Sequence, residues 1–272
     1  MTNSQVLLAA ISFALTLFFG GVWVFQTHGI YKFDQSPQLP QSFGLVGVRV
    51  LPFISEDGTP ALAWMAPPAS GSPILFSFYG NSSAIGPAML RLAPLMADGT
   101  GIVMLQYRGS GGMNGHPSEE NFARDARALY DQLDMLAGQT IPQDRRVLHG
   151  FSLGAGVAAR LALERPFAGL VLEASLPRAC MYYQQRYQGF PFCALMWAER
   201  YDVIDWIGKV SAPKLFVHGT ADVIVPTAWG KELYATASAP KDFVELPGGS
   251  HADLTHYGLI PVMKDFITQH VK

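Results

Sequence analysis

Residues 149–156 read HGFSLGAG, and the fold turns on why a serine stands among glycines there. Gly150-Phe151-Ser152-Leu153-Gly154 matches G-x-S-x-G. RRVLHGF, ahead of it, is short and apolar like a strand, and LGAGVAARLALER, behind it, is helix-like. A sharp strand-to-helix turn pushes a serine hydroxyl out of the chain's own shadow. Glycines two residues either side let neighbouring backbone approach closely, and the helix start leaves a free N–H beside the oxygen. In a chain with 27 glycines the same pentapeptide also suits a plain turn, so partners for Ser152 decide between the readings.

The surrounding sequence alternates strand and helix patterns. VGVRVLPFI and ALAWMAP read as an antiparallel pair across the turn Glu56-Asp57-Gly58. ILFSFY, GIVMLQY, RRVLHGF, AGLVLEA, KLFVHG and DFVELPG follow as short apolar strands, the pattern of strands buried on both faces. In SEENFARDARALYDQLDML, Phe122, Ala126, Leu129, Leu133 and Leu136 form one apolar stripe at helical spacing, and Glu119 and Glu120 suit the positive end of the helix dipole. TAWGKELYATA is also helix-like. This alternation predicts an α/β fold with a mostly parallel eight-stranded sheet and helices on both faces.

In such sheets ligands bind beyond the carboxyl ends of the strands. Asp222 falls just past KLFVHG, and His251 falls past the last strand in the glycine-rich LPGGSHADL. The order Ser152, Asp222, His251 is that of α/β hydrolases. His149 and His218 end strands and are read as packed beneath the site, while His256 is the rival to His251. An acyl-transfer site also needs oxyanion donors, and the expected pair is the backbone N–H of Leu153 and that of Asn81 in SFYGNSS. No metal-ligand spacing and no cofactor motif occurs. The net charge of −2 and the absence of a basic run exclude the footprint expected of a nucleic-acid binder.

With these residues in place the chain resembles the α/β-hydrolase superfamily, and more closely its small, often membrane-anchored serine hydrolases of the bud-emergence type. The likeness runs from about Gly44 to the C-terminus through YRGSGGMNGHPSEENFARDARALYDQL, GFSLGAG, HGTADVIVP and GGSHADL. It implies Ser152 as nucleophile, Asp222 as acid and His251 as base, on an α/β-hydrolase fold with a lid. The chain departs from the group at Tyr79, which stands where a histidine is usual before Gly80-Asn81, although the backbone donor is retained. Arg108, in RGSGG, is read as a structural ion-pair partner.

Residues 6–25, VLLAAISFALTLFFGGVWVF, carry no charge and at ~1.5 Å per residue span a ~30 Å hydrocarbon layer. A cleaved signal peptide would usually show a basic start and small residues at a cleavage site, and a buried helix would show a polar face; neither pattern is present. The expected domains are a membrane anchor (1–30), a Pro/Gln/Ser-rich linker (31–45) and a hydrolase domain (46–272) with a short lid at about 175–205. The flanking charges do not orient the anchor, so the side of the membrane stays open, as does the oligomeric state. Cys180 and Cys193 read as packed free thiols that would pair only in an oxidising compartment. In the lid, Tyr182, Tyr183, Phe190, Phe192 and Trp197 either line an apolar acyl pocket or pack the insert. The function expected is hydrolysis of a carboxylic ester or thioester through an acyl-enzyme, on a small-molecule, lipid-derived or acylated substrate at a membrane. A serine peptidase or amidase, and a non-catalytic membrane-tethered interaction module, are the alternatives.

Overall fold

A computed structural model describes residues 2–271 of the chain. Eight strands, β1 (Arg49–Ile54), β2 (Pro60–Ala66), β3 (Ile74–Phe78), β4 (Gly101–Gln106), β5 (Arg146–Phe151), β6 (Gly169–Glu173), β7 (Lys214–Gly219) and β8 (Lys241–Leu246), form one sheet. Its order is β1-β2-β4-β3-β5-β6-β7-β8. β1–β2 and β2–β4 are antiparallel, and every later pairing is parallel. Every residue of β3, β4, β5, β6 and β7 is buried, as both faces of a covered parallel sheet must be.

The helices are α1 (Asn3–Val24), α2 (Ile85–Leu92), α3 (Glu119–Asp131), α4 (Leu133–Ala137), α5 (Leu153–Glu164), α6 (Ala179–Arg186), α7 (Phe192–Leu195), α8 (Val203–Trp206), α9 (Thr227–Thr236) and α10 (Leu259–His270). The apolar stripe expected on α3 is buried at Phe122, Ala126 and Leu129 and continues to Leu133 in α4. Arg108 is the structural residue expected: its guanidinium donates to both carboxylate oxygens of Asp125, at 2.6 and 2.9 Å, and to Asp57, pinning the exit of β4 to α3.

α1 begins in a capping box, in which the Thr2 hydroxyl accepts from the Gln5 N–H and the Gln5 side chain accepts from the Thr2 N–H. The segment Asn3–Gly29 is long and apolar enough to cross a membrane, and none of its most apolar window is buried in the protein. It ends in one π-helical turn, Phe25–Gly29, that is docked on the domain.

Two expectations need correction. Residues 31–45 are not a free tether. Tyr31, Phe33 and Leu45 are buried in the core, and Phe33 packs against Tyr107 and Phe122 at ring separations of 5.3 and 6.0 Å. The polar composition of the stretch concealed aromatic side chains too few to make a period. Cys180 and Cys193 are not free thiols but are disulfide-bonded, joining α6 to α7 within the lid.

The glycines of the quoted stretch are required by close approach. A Cβ at Gly154 would lie 2.1 Å from the Phe78 carbonyl oxygen, and one at Gly150 would lie 2.3 Å from the Gly154 carbonyl oxygen. Because the obstructing atoms are backbone, they cannot rotate away. Gly154→Ala is therefore expected to destabilise the fold by about 3 kcal/mol, read as a lowered thermal midpoint of the full chain in detergent micelles; an unchanged midpoint would contradict the packing described.

Candidate active site

Ser152 sits between β5 and α5 with φ +54° and ψ −118°, outside helix and strand regions alike. A non-glycine residue in such a conformation costs about 1–3 kcal/mol and needs its surroundings to hold it. Here the Ser152 N–H donates to the Glu173 carbonyl oxygen at the end of β6, at 2.9 Å. The hydroxyl is thereby turned toward the cavity over the sheet's carboxyl edge, while Leu153, first residue of α5, has an N–H with no partner inside the helix.

The loops after β7 and β8 bring the other two expected residues to it. His251 Nε2 lies 3.1 Å from Ser152 Oγ, and His251 Nδ1 lies 2.8 Å from Asp222 Oδ2. Next to an ionised carboxylate Nδ1 carries the proton, which leaves the Nε2 lone pair facing the serine hydroxyl. The two loops are themselves tied, Ala221 N–H donating to the Gly249 carbonyl oxygen at 2.9 Å. Asp222 Oδ1 accepts the N–H groups of Ile224 and Val225 at 2.9 and 2.8 Å. Burial alone would raise the Asp222 carboxyl, but His218, His251 and the Val225 N–H together hold it well below the usual carboxylate range.

His149 and His218 are packed beneath the site, as their places at strand ends suggested. His149 is buried between Ser77 and Glu173, and His218 Nε2 donates to the Val225 carbonyl oxygen at 2.8 Å. His256 is exposed on the short turn Leu254–Tyr257 and does not line the cavity. Among the described residues no group of His, Cys, Asp and Glu is arranged to hold a metal.

Beneath the elbow runs a buried network that sequence reasoning missed. Arg91 pairs with Glu173, whose other oxygen lies 3.2 Å from His149 Nε2. Burial opposes ionisation of Glu173, yet Arg91 and His149 hold its carboxyl below the ordinary value. The Arg91 guanidinium also stacks over Phe151, 4.7 Å from the ring centre, and Phe151 faces the His251 ring at 5.0 Å. No local motif marks these residues, because they meet only across two strands and a helix.

The cavity at Ser152 has a volume of about 460 Å³. Leu153, Asn81 and His251 line it as expected, but so do Phe25, Ile30 and Lys32 from the N-terminal segment. The Asn81 side chain is committed to that segment, its Oδ1 accepting the Lys32 N–H at 3.0 Å and its Nδ2 donating to the Ile30 carbonyl oxygen at 2.7 Å. Of the lid aromatics, Tyr182 and Tyr183 line this cavity, whereas Phe190 and Phe192 line a neighbouring groove against α1.

A mostly parallel eight-stranded sheet that delivers the loops after β5, β7 and β8 to one cavity is the architecture of the α/β hydrolases. No protein-family model matches the chain. Similarity to individual proteins is extensive, however. An uncharacterized protein of Mycobacterium tuberculosis is 32% identical over 254 residues, 91% of this chain and 89% of that one. The α/β hydrolase domain-containing protein WAV2 of Arabidopsis thaliana is 32% identical over 222 residues, 73% of this chain and 70% of that one. The solved esterase Pf2001 of Pyrococcus furiosus superposes with a TM-score of 0.68 over 88% of this chain and 98% of that one, at 14% identity. The chain belongs to the α/β-hydrolase family.

A carboxyl held below its usual value contributes stability that is present above the usual carboxylate range near pH ~4 and is lost as pH falls toward the depressed value. Asp222→Asn removes this titration. Its thermal midpoint is expected to fall less than that of the wild type on acidification from pH ~5 to pH ~2.5; equal losses would mean that Asp222 is not so held.

Proposed function

We propose that the protein is a serine hydrolase that cleaves a carboxylic ester or thioester through an acyl-enzyme, with Ser152 as nucleophile, His251 as general base and Asp222 as its orienting acid. The observation that carries this is the hydrogen-bonded chain from Ser152 Oγ to His251 Nε2 and from His251 Nδ1 to Asp222. As Ser152 Oγ bonds to the acyl carbon its proton passes to His251 Nε2, and Asp222 stabilises the imidazolium that forms. The negative charge gathers on the former carbonyl oxygen, where the backbone N–H groups of Leu153 and Asn81 are the proposed donors. Collapse breaks the bond to the leaving oxygen or sulfur, which takes the proton from His251. Water then adds to the acyl-enzyme, giving its proton to His251, and the acid leaves as the proton returns to Ser152.

Membrane attachment through α1 is part of the proposal. A helix of this length with no charged residue and none of its apolar window buried has no favourable place in water. Docking of the end of the same helix beside the Ser152 cavity supports substrates that reside at a membrane, lipid-derived or acylated. The disulfide in the lid supports a domain facing an oxidising compartment.

The full chain in detergent is expected to label with a fluorophosphonate and to hydrolyse p-nitrophenyl esters. Ser152→Ala is expected to abolish labelling and to lower kcat at least ~10⁴-fold. Labelling or hydrolysis that survives this substitution in folded protein would refute the nucleophile assignment.

A further inference from the structure

Phe25 and Tyr187 are among the side chains that line the Ser152 cavity. The same two side chains form part of the wall of a second hollow of about 550 Å³ lying between α1 and the lid. Leu17, Gly21, Val22 and Phe25 contribute from the helix, and Phe190 and Met196 from the lid; no charged side chain takes part. From Leu17 to Phe25 the groove follows ~12 Å of helix axis.

This groove is held open. Gln26, fully buried at the end of the apolar helix, accepts the N–H groups of Trp197 and Ala198, each at 2.8 Å. Two such bonds to the lid backbone set the angle at which the helix leaves the domain. Farther out, Phe18 meets Phe190 and Phe19 meets Trp197, at ring separations of 6.4 and 6.3 Å. The disulfide between Cys180 and Cys193 ties α6 to α7 on the lid side. Between these contacts stands Gly21, where a Cβ would meet nothing within 4 Å. The space beside it is therefore room that a small residue leaves empty, not a contact between helix and lid.

We propose that the fatty-acyl chain of a bilayer lipid ester occupies this groove, entering from the membrane along α1 with its ester carbon at Ser152, and that side chains of the membrane helix set the acyl length accepted. The proposal rests on the reading of Ser152 as nucleophile. An apolar groove walled by a bilayer-crossing helix is filled by hydrocarbon, not water, because water there would have no polar partner. The groove's axis selects the source. It runs along the helix, so a chain already in the bilayer reaches the site by sliding lengthwise, with its polar end leading toward His251 and Asn81.

The test uses the full chain in nanodiscs of an ether-linked phospholipid, which offers no competing ester. The wild type is expected to favour p-nitrophenyl palmitate over p-nitrophenyl butyrate in kcat/KM. Gly21→Trp, filling the groove, is expected to lower the palmitate-to-butyrate ratio by roughly tenfold or more, whereas Leu8→Trp, outside the groove, leaves the ratio where it is. Should Gly21→Trp fail to fold, Leu17→Trp obstructs the far end of the same groove and is read in the same way. An unaltered ratio in the groove variants, with both hydrolyses still dependent on Ser152, overturns the acyl-groove assignment and leaves the nucleophile standing. Hydrolysis independent of Ser152, or none by the wild type, overturns both. A palmitoylated peptide cleaved faster than monopalmitoylglycerol in the same discs overturns the bilayer lipid as the source.

Discussion

The first turn of α5 lies so close to the ends of β3 and β5 that no side chain fits between them, and the site depends on that approach. Helix and sheet meet at backbone distance where Gly154 faces Phe78 and Gly150 faces the Gly154 carbonyl. Only with the helix start pressed there can the intervening residue bridge strand and helix, and it does so with Ser152 in a strained conformation. The strain is held from below. The Ser152 N–H is anchored on β6, and the side chain of the anchoring residue, Glu173, is neutralised by Arg91 and hydrogen-bonded to His149. Removing one partner of a buried pair costs about 3–5 kcal/mol, so this network resists relaxation of the elbow above it. Phe151, between Arg91 and His251, makes the same residues a floor for the imidazole.

The N-terminal segment is the second organising element. After leaving α1 it crosses the mouth of the cavity, where Ile30 and Lys32 hold Asn81, and then buries Tyr31 and Phe33. The Tyr31 hydroxyl donates to Glu199, which also accepts the Glu119 N–H, and Glu119 in turn accepts the N–H groups of Arg200 and Tyr201. Burial raises both carboxyls toward protonation, and each is compensated by donors from a different element. Helix α3, the lid and the segment after α1 are thus joined through two acids. In the sequence Glu119 reads simply as a favourable charge in a first helical turn, which it also is.

What could be read from the sequence divides by range. Strands β3 to β7 announce themselves as apolar runs, and the elbow and the loops after β7 and β8 carry Ser152, Asp222 and His251 in a recognisable order. Each of these signals is local: a run, a turn or a residue at the end of a strand. The strap over the cavity was hidden because Tyr31 and Phe33 sit in a stretch of Pro, Gln and Ser, and packing of that kind depends on partners far away in sequence. Arg91 and Glu173, the partners that tie His149 into a network, were invisible for the same reason. The cysteines illustrate a further limit, since thirteen residues of separation is compatible with pairing or with two packed thiols, and only the fold of α6 against α7 brings them together.

Tyr79 shows how a departure from the pattern of the group the sequence resembles is absorbed. Where that resemblance leads one to expect a histidine, a larger phenol must find both space and a partner for its hydroxyl when buried. The Tyr79 hydroxyl accepts the Tyr107 N–H at 3.1 Å and meets Ser110 Oγ at 2.9 Å, while the Tyr107 hydroxyl donates to the Tyr79 carbonyl oxygen at 3.0 Å. Burial pushes the Tyr79 hydroxyl up to about 12, so it stays protonated and serves as a neutral link between the exits of β3 and β4. This reciprocal tie sets the course of the chain into Gly80 and Asn81. With the Asn81 amide side chain already bonded to residues 30 and 32, the part of Asn81 left for the proposed oxyanion contact is its main chain. A backbone donor is indifferent to the side chain preceding it, provided the chain's course is held, and here two tyrosines hold it.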